Sequence, residues 1–496
     1  MTTLMALLVL GPLLAAGVVL VAGNRHLGRD LVTLITLLFT AGSSAVIAVD
    51  VARNGTQVLR VGGWRPDLGI VLVADLFAVL VLVVAMCTIL VVELFAIGQR
   101  RTIAGVDPSL VGPVLLVLTA GVALSILTGD LFTLFVAFEL ILVSSYVLLT
   151  HQGQRSQIRS GMTYVVINLL ASTFFLFGLA IVYASTGTVN MALLAERIPD
   201  LPDPLRLGIG LWFLVVFGTK AAMFPLFSWL PDAYPTAPTT ITAVFAGLLS
   251  KIGVYVMIRF QVLTGMDDLG PIVLVLAGAT MVVGVVGALA QDDVKRILSF
   301  HVVSQIGYML MGLGLFSVAG IAGAMLFLIH HMPVKTVLFL VGGLVEDDQG
   351  TSSLKRVSGL AARRPYLAAL FALPAMNLAG LPPLSGFVAK LSLVDAGIAV
   401  RSVPIVVVSL VVSLFTLLSM SKIWLGVFWG TPSEPVPGAR ARSASGTSKW
   451  IMNGATTLAI AGTLGIALFA GTLFDLSERA AIELIDARPY VEAVWP

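Results

Sequence analysis

Apolar runs of about 20 residues recur along this sequence from end to end, with short polar connections between them. A helix of that length crosses the hydrocarbon core of a bilayer. Of the 496 residues, 58% are hydrophobic and only 11% are charged. The polar connections are too short to fold as separate soluble domains. The sequence therefore predicts an all-α polytopic membrane protein.

We predict about 14 transmembrane helices. The first apolar run has no basic region before it and no clear cleavage site after it, so we expect it to be retained as a span. The predicted spans start near residues 2, 31, 70, 108, 129, 160, 205, 240, 269, 297, 319, 366, 403 and 453.

Basic residues in the loops predict the orientation of the chain. When the loops are assigned to alternate sides, fifteen basic residues fall on one side and seven on the other, or nine with the two arginines of the tail. Because positively charged loops stay in the cytoplasm, both termini are predicted to lie outside it. The fifteen residues are Arg25, Arg29, Arg100, Arg101, Arg155, Arg159, Lys295, Arg296, Lys355, Arg356, Arg363, Arg364, Arg440, Arg442 and Lys449.

The sequence contains a candidate internal repeat at a shift of 162 residues, where FELILVSSYVLL lies over FHVVSQIGYMLM. The same shift sets Asn168 over His330 and Thr173 over Lys335. Five spans separate the copies, and this odd number predicts that the repeat is inverted in the membrane. The predicted units are helices 1–3 (residues 1–107), a first repeat of helices 4–8 (108–262), a second repeat of helices 9–13 (263–430), and a last helix with its tail (431–496).

Two lysines lie in apolar stretches beside prolines that interrupt a helix. Lys220 precedes Pro225 in the seventh span, and Lys390 follows Pro382 and Pro383 in the twelfth, so helices 7 and 12 are predicted to be broken. A charge at bilayer depth costs roughly 2.5–3.5 kcal/mol, and a broken helix there needs protein or water to satisfy its freed backbone groups. This pattern indicates an ion path inside the membrane, which Lys390 could terminate at one face.

Glu139, Lys220 and Lys251 lie in the middle of the fifth, seventh and eighth spans. Burial favours the neutral form of a lysine, and an isolated carboxylate takes up a proton or a cation. A glutamate and a lysine that face each other could hold or release a proton as their separation changes, because Coulomb coupling is strong at low dielectric. The alternative is a static buried ion pair that fixes helix packing.

The eleventh span carries a second polar group. His331 and Lys335 are four residues apart and share a helix face, and Pro333 bends that helix. A histidine titrates near neutral pH and suits a proton relay. His330 points about 100° away from His331, and it either joins the relay or hydrogen-bonds a carbonyl. Adjacent histidines diverge too far to share a metal ion, so we predict no metal site.

Three further residues allow two interpretations each. His301 begins the tenth span and either relays protons or lies near the interface. Lys422, near the middle of the thirteenth span, either joins the path or extends its ammonium to the interface. Glu93 is assigned an interfacial or intersubunit role.

Three carboxylates are given structural roles. Asp75 and Asp130 open their spans and are predicted to be helix caps, because helix starts favour carboxylates. Asp232 is predicted to be a turn residue at a helix end.

Several classes of function are excluded or disfavoured. The single cysteine, Cys87, excludes an intrachain disulfide and a CxxC metal or iron–sulfur framework. The sequence has no phosphate-binding loop, no dinucleotide fingerprint and no nucleophile elbow. A net charge of +3, spread over short loops, argues against nucleic acid as a partner. Ion gradients or a partner protein must then supply the energy, and we expect no cofactor.

Four segments of the chain resemble a known family. FVAFELILVSSYVLL, GTKAAMFPLFSWLPDAYPTAP, KRILSFHVVSQIGYML and NLAGLPPLSGF are similar to the antiporter-like subunits of respiratory complex I, membrane-bound hydrogenases and Mrp-type cation/proton antiporters. The resemblance covers roughly residues 70 to 430. The length, GGWRPDLGIVLVADLFAVLVL and HHMPVKTVLFLVGG are most similar to the D-type subunit of Mrp antiporters. The much longer A-type subunit of these antiporters carries extra C-terminal spans.

The resemblance implies a proton site and a route. Glu139 and Lys220 match the family's proton site, and Lys251 matches its relay lysine. His331 and Lys335 would continue the polar axis, and Lys390 would match the ionisable group of the twelfth helix. Pro333 departs from the family pattern.

The family also implies partners and a location. We expect six or seven different subunits in a bacterial plasma membrane, contact with membrane lipid, and no redox cofactor in this chain. The leading hypothesis is a proton-translocating subunit of a sodium (or potassium)/proton antiporter. The rivals are a proton-pumping subunit of complex I or a hydrogenase, and a membrane scaffold that transports nothing.

Overall fold

The computed structural model describes residues 1–21, 26–100, 110–431 and 446–495. Within these ranges, twelve helices are long and apolar enough to cross a membrane. Val111–Leu127 and Pro365–Ala379 are shorter apolar helices at the places of the predicted fourth and twelfth spans. The chain is therefore a polytopic, nearly all-α membrane protein, as predicted, whereas the total of about 14 spans stays a prediction.

The helices of the first half are α1 (Thr2–Val21), α2 (His26–Asn54), α3 (Leu76–Arg100), α4 (Val111–Leu127), α5 (Leu131–Thr150), α6 (Arg155–Thr186), α7 (Met191–Arg197), α8 (Asp203–Ala221), α9 (Trp229–Ala233), α10 (Thr239–Val244) and α11 (Ser250–Leu263). Those of the second half are α12 (Gly270–Leu289), α13 (Val294–Gly314), α14 (Val318–Gln349), α15 (Leu360–Arg363), α16 (Pro365–Ala379), α17 (Ser385–Ala399), α18 (Val403–Ile423), α19 (Gly446–Leu468), α20 (Ala470–Ile485) and α21 (Arg488–Val494). Two strands, β1 (Gln57–Arg60) and β2 (Val71–Ala74), pair antiparallel with Gln57 opposite Ala74.

Carboxylates begin several of these helices. Asp75 accepts a hydrogen bond from the Ala78 amide at 2.8 Å, and Asp130 accepts one from the Thr133 amide at 2.6 Å. Each bond satisfies one of the amides that a helix leaves unpaired in its first turn. The predicted capping roles of Asp75 and Asp130 are confirmed.

Two spans are interrupted as the prolines predicted. The seventh span consists of α8, an interruption over residues 222–228, and the short helix α9. The twelfth consists of α16, an interruption over residues 380–384, and α17. Ala222 and Gly380 end α8 and α16 in the left-handed conformation, with φ of 62° and 84°. The broken helices 7 and 12 bring backbone carbonyls and amides into the bundle interior.

Helix boundaries in the two halves of the chain correspond at a constant spacing. α6 and α14 are both 32 residues long and begin at residues 155 and 318, which are 163 positions apart. The caps Asp130 and Asp293, which precede α5 and α13, have the same separation. So do Gly187 and Gly350, the left-handed glycines that follow α6 and α14. This correspondence supports the predicted repeat, and its inversion across the membrane stays a prediction.

The predicted register of 162 is wrong by one residue for these helices. A short match of sequence letters cannot fix the register, and one residue rotates a helical side chain by about 100°. At the spacing of 163, Asn168 corresponds to His331 and Ser172 to Lys335, so the polar pair on α6 matches the polar pair on α14.

Polar connections gather into two groups, as alternation of the loops requires. Strand residue Leu72 pairs with Thr128, and Asp130 pairs with Asn190, so the connections after spans 2, 4 and 6 meet. In the other group, Asp293 pairs with Ser353. Which group faces the cytoplasm stays a prediction.

Arg296 also belongs to the second group, and it donates to Asp232 at 3.0 Å. Asp232 lies at the end of the short helix α9, as predicted, but it belongs to the helix and not to a turn. Four of the fifteen basic residues that predict the orientation, Arg25, Arg101, Arg440 and Arg442, lie outside the described residues. The predicted unit boundary at residue 107 also lies outside them.

The C-terminal unit holds more structure than one span and a tail. After α19, the amphipathic helix α20 packs against α14 and α3, and it buries Ser477, Ala480, Ala481 and Leu484. Hydropathy could not reveal α20 as an element, because its sequence mixes charged and apolar residues. The short helix α21 follows and buries Tyr490.

Close packing of α12 on α13 depends on glycine. A Cβ at Gly284 would lie 2.4 Å from the Ser304 amide nitrogen, whereas a Cβ at Gly42 on α2 would meet nothing within 4 Å. We expect Gly284→Ala to destabilise the protein by about 1–3 kcal/mol, because overpacking forces backbone shifts. Thermal unfolding of the purified protein measures this effect. Gly42→Ala is the matched control, and equal midpoints for both variants would contradict the packing.

Candidate functional site

Lys220 lies in the last turn of α8, directly before the interruption of the seventh span. Its ammonium donates to the Asn168 carbonyl at 3.2 Å and to the Ser172 hydroxyl at 3.1 Å, both on α6. The nitrogen also lies 5.5 Å from the ring centroid of Phe138 on α5. The lysine is only 7% exposed, so its charge is held by α6 and by an aromatic face inside the bundle.

Glu139 follows Phe138 on α5 and interacts electrostatically with Lys220. Its Oε1 atom is buried and accepts no hydrogen bond within the described part of the chain. The Lys220 ammonium bonds to α6 rather than to this carboxylate. The geometry therefore differs from the static ion pair that was the alternative interpretation of these residues.

A small cavity adjoins Lys220. Its volume is about 20 Å³, which is room for about one water molecule. The cavity extends from the Lys220 side chain to Leu249, the last residue before α11. Its lining consists of Phe138, Ile141, Leu142, Tyr164, Asn168, Lys220, Trp229 and Leu249.

Lys251 is fully buried at the start of α11, directly after a π-helical segment over Phe245–Leu249. Its ammonium donates to the Ala246 carbonyl and, at 3.4 Å, to the Ser250 hydroxyl. A π-helical segment shifts the backbone hydrogen-bond pattern, and such segments often occur at functional sites. No sequence signal marks this segment, because its residues are ordinary in a helix.

His331 and Lys335 lie on α14 at zero exposure. Both ring nitrogens of His331 are buried without a hydrogen-bond partner among the described residues. The histidine interacts electrostatically with Lys251 and Lys335, so it links the eighth and eleventh spans. The Lys335 ammonium donates to the Leu298 carbonyl on α13 at 3.2 Å. These contacts bring together the residues that the spacing predicted, and α14 remains one helix through Pro333.

Lys390 holds the end of α16 at the interruption of the twelfth span. Its ammonium donates to the carbonyls of Leu378 and Ala379 at 3.1 and 3.0 Å, and to the Ser413 hydroxyl at 3.0 Å. The nitrogen lies 5.2 Å from the ring centroid of Tyr308. The last carbonyls of a helix lack partners and carry partial negative charge, so a cation is stabilised there.

The two secondary histidines are both buried. His301 contacts the Ser419 hydroxyl through Nε2, and it interacts electrostatically with Lys335 and Lys390. His330 contacts the Ser385 hydroxyl through Nδ1 at 2.9 Å and interacts electrostatically with Lys390. His301 thus lies in the bundle interior, rather than at the interface that was one of its two interpretations.

Lys422 lies outside this group. It is in the last turn of α18, and its ammonium donates to the carbonyls of Leu289 and Gln291 at 2.9 and 2.6 Å and to Asp292 at 3.0 Å. Hydrogen bonds from Lys355 and Lys422 lower the pKa of Asp292. The prediction that Lys422 lies near the middle of its span is wrong, because the span runs over Val403–Phe428 and Lys422 lies in its last third.

One buried ion pair was not predicted. Arg259 on α11 donates to both oxygens of Asp75, at 2.8 and 2.6 Å, and its Nε donates to the Tyr255 hydroxyl at 2.9 Å. The guanidinium also lies over the rings of Phe77 and Tyr490. The sequence offers only a weak signal for this pair, an arginine at the end of an apolar span.

Metal binding has no support in the described ranges. Within them, no group of three or more His, Cys, Asp or Glu side chains is arranged to hold a metal ion. The expectation that this chain needs no cofactor stays a prediction.

Similarity to known proteins covers the whole site. Residues 128–416 match the family described as NADH:quinone oxidoreductase/Mrp antiporter, TM. The D subunit of the Na(+)/H(+) antiporter of Alkalihalophilus pseudofirmus is 39% identical over 501 residues, which cover 100% of this chain and 99% of the relative. The chain belongs to the NADH:quinone oxidoreductase/Mrp antiporter family. The resemblance to the D-type subunit is thereby confirmed.

Two solved structures show that the family fold extends over the full chain. A chain of the Mrp complex from Dietzia sp. DQ12-45-1b has a TM-score of 0.92 and 34% identity, with 100% of both chains covered. A chain of the membrane-bound sulfane sulfur reductase, an archaeal respiratory membrane complex, has a TM-score of 0.90 and 26% identity, with 99% of both covered. The NADH:quinone oxidoreductase/Mrp antiporter fold therefore occurs both in an Mrp complex and in a respiratory reductase.

Proposed function

We propose that this chain is the proton-translocating subunit of a multisubunit sodium (or potassium)/proton antiporter. Protons move along Glu139, Lys220, Lys251, His331, Lys335 and Lys390, and the proton gradient drives cation efflux. The observation that carries this proposal is the series of titratable side chains in the bundle interior, which runs from the interruption of the seventh span to that of the twelfth.

Electrostatic interactions between successive groups support the order of the proposed route. Glu139 interacts with Lys220, and His331 interacts with both Lys251 and Lys335. His301 interacts with Lys335 and with Lys390, which brings the route to the interruption of the twelfth span. Between Lys220 and Lys251 the route has no direct charge contact of this kind, and the small cavity that reaches Leu249 occupies that place. A water molecule there would extend the route from Lys220 towards α11, and Lys251 itself does not line the cavity.

The hydrogen bonds of the lysines suit proton transfer. The ammonium groups of Lys220, Lys251, Lys335 and Lys390 donate to backbone carbonyls and serine hydroxyls rather than to carboxylates. Neutral acceptors leave each lysine free to lose its proton without leaving an unpaired carboxylate behind. A change of charge at one site then alters the free energy of protonation at the next, because Coulomb coupling is strong in a low-dielectric interior.

The family relatives suggest the setting. The relative from Alkalihalophilus is named as one subunit of an antiporter, and the Dietzia chain is part of a complex. We infer that this chain works with five or six other Mrp subunits in a bacterial plasma membrane, with both termini outside the cytoplasm. It acts as part of a secondary transporter, and its own residues supply the proton path.

The second candidate is a proton-pumping subunit of a redox enzyme. Similarity to the archaeal sulfane sulfur reductase favours it, since that respiratory complex has a chain of the same fold. The internal proton chemistry would be unchanged, and electron transfer in a partner would replace the cation gradient.

Everted membrane vesicles distinguish the two functions. The complete gene cluster that contains this chain is expressed in a host without its own antiporters, and respiration acidifies the vesicle lumen. A pH-sensitive dye then reports whether added sodium, or added potassium, releases protons. Dye recovery that requires this chain establishes cation/proton exchange and names the ion. An assembled complex that gives no recovery with either ion would favour the redox-driven pump.

A further inference from the structure

Two side chains satisfy free backbone groups at the interruption of the twelfth span, the amide of Asn377 and the ammonium of Lys390. Lys390 donates to the free carbonyls at the end of α16, and the side chain of Asn377, in the last turn of α16, accepts from one free amide at the start of α17. The Gly386 amide donates to Asn377 Oδ1 at 2.8 Å. A Cβ at Gly386 would lie 1.9 Å from the backbone carbonyl oxygen of Asn377, so the close approach of α17 to α16 requires glycine.

The Gly386 contact fixes the orientation of the asparagine. A backbone amide is only a donor, so the Asn377 atom that faces it must be the carbonyl oxygen and not the amide nitrogen. Asn377 Oδ1 is therefore an acceptor for every group that reaches it.

The orientation of Asn377 fixes the hydroxyl of Ser385. Ser385 Oγ lies 3.2 Å from Asn377 Oδ1 and 2.9 Å from His330 Nδ1. Oδ1 only accepts, so two lone pairs would face each other across the 3.2 Å between Asn377 and Ser385 unless the hydroxyl donates there, and we assign its single hydrogen to Asn377 on that ground. Its oxygen is then left to accept a hydrogen bond, and His330 Nδ1 must carry the hydrogen that it accepts.

From this chain of donors and acceptors we propose that Asn377 and Ser385 hold neutral His330 in the tautomer with hydrogen on Nδ1. Nε2 then carries the free lone pair and is the nitrogen that takes up and releases the transported proton. Asn377 and Ser385 are positioning residues, because they act on the proton through His330. This inference rests on the proposed function, since it adds His330 to the proposed route beside Lys390.

Two titratable neighbours are the proposed exchange partners of the proton on Nε2. The titratable groups that interact electrostatically with His330 are Lys390 on α17 and His331 on α14. Whether one ring nitrogen of a histidine carries a hydrogen is determined by the hydrogen bond that the other ring nitrogen makes. In this way Asn377 and Ser385, on either side of the interruption of the twelfth span, determine which nitrogen of His330 on α14 exchanges the proton.

Solid-state nitrogen NMR of the complete complex, with ¹⁵N-labelled histidine and reconstituted in lipid, tests the tautomer directly. The signals of His330 are identified by subtracting the spectrum of the His330→Gln complex. At a pH where His330 is neutral, we expect a protonated Nδ1 and an unprotonated Nε2. A protonated Nε2 in the wild-type complex would overturn the proposal, whether or not the complex exchanges ions.

Transport by serine variants tests the consequence. Ser385→Ala should increase the population with hydrogen on Nε2 and slow exchange by about tenfold, and Ser385→Thr should restore both because it keeps the hydroxyl. Ser392→Ala is the matched control, since among the described residues this serine of α17 donates only to the Ala389 carbonyl of its own helix. Slower exchange by Ser385→Ala with an unchanged tautomer would contradict the proposal. A wild-type complex that exchanges no ions would instead contradict the proposed function.

Discussion

Replacing Glu139 with glutamine is expected to abolish cation-driven proton movement while the complex still assembles. The amide keeps the volume of the carboxyl group but cannot take up or release a proton. Glu139 Oε1 accepts no hydrogen bond from the described residues, so the substitution removes no hydrogen bond between them at this atom. Dye recovery in everted vesicles measures exchange, and the amount of intact complex in the same membranes measures assembly.

A second glutamate provides the control for this prediction. Glu196 is exposed on α7, away from the proposed route, and Glu196→Gln should exchange at the wild-type rate. Exchange at the wild-type rate by Glu139→Gln would remove this residue from the proton site. Loss of assembly in Glu139→Gln alone would assign it a structural role.

Replacing Asp75 with asparagine is expected to destabilise the protein by about 3–5 kcal/mol, because the substitution leaves a buried arginine without its counter-charge. The Arg259 side chain is only 3% exposed, and Asp75 accepts two hydrogen bonds from its guanidinium. Asparagine keeps the shape of the side chain and removes its charge. The thermal unfolding midpoint of the purified complex and its yield in membranes should both fall.

An exposed ion pair of the same residue types is the control. Asp67 accepts two hydrogen bonds from Arg65, whose side chain is 70% exposed. Exposed ion pairs contribute about 0–1 kcal/mol, so Asp67→Asn should leave the midpoint nearly unchanged. Equal losses from Asp75→Asn and Asp67→Asn would contradict the role assigned to burial.

Much of the fold could be predicted from one-dimensional patterns. Apolar length predicted the spans, prolines predicted the two interruptions, and carboxylates at helix starts predicted the caps at Asp75 and Asp130. Each of these signals depends on a residue and its immediate neighbours. The unpredicted helix α20 carries a different signal, the spacing of its buried residues Ser477, Ala480, Ala481 and Leu484 on one helix face, which apolar length does not detect. The seven-residue helix α21 is too short to show such a pattern.

The site could be predicted only in part. The sequence indicated that Lys220, Lys251, His331, Lys335 and Lys390 are buried, because an ionisable residue inside an apolar run almost always faces the bundle interior. It could not reveal their partners. The acceptors of the lysines are largely backbone carbonyls, which every residue has, and the π-helical segment before Lys251 has no compositional signature. Asn377 and Ser385 lie in the family segment NLAGLPPLSGF, but the sequence assigns them no individual role, since neutral polar residues are common in spans.

Neutralising both charges of the proposed proton site decides whether protons cross the membrane through it. The double variant Glu139→Gln with Lys220→Met removes one negative and one positive charge, so neither partner is left as an unpaired buried charge. The purified complex is placed in proteoliposomes with an imposed pH gradient and no electron donor, and internal pH is followed after sodium or potassium is added. We expect rapid collapse of the gradient by the wild-type complex and none by the double variant. Equal collapse by both would show that protons do not cross through this site.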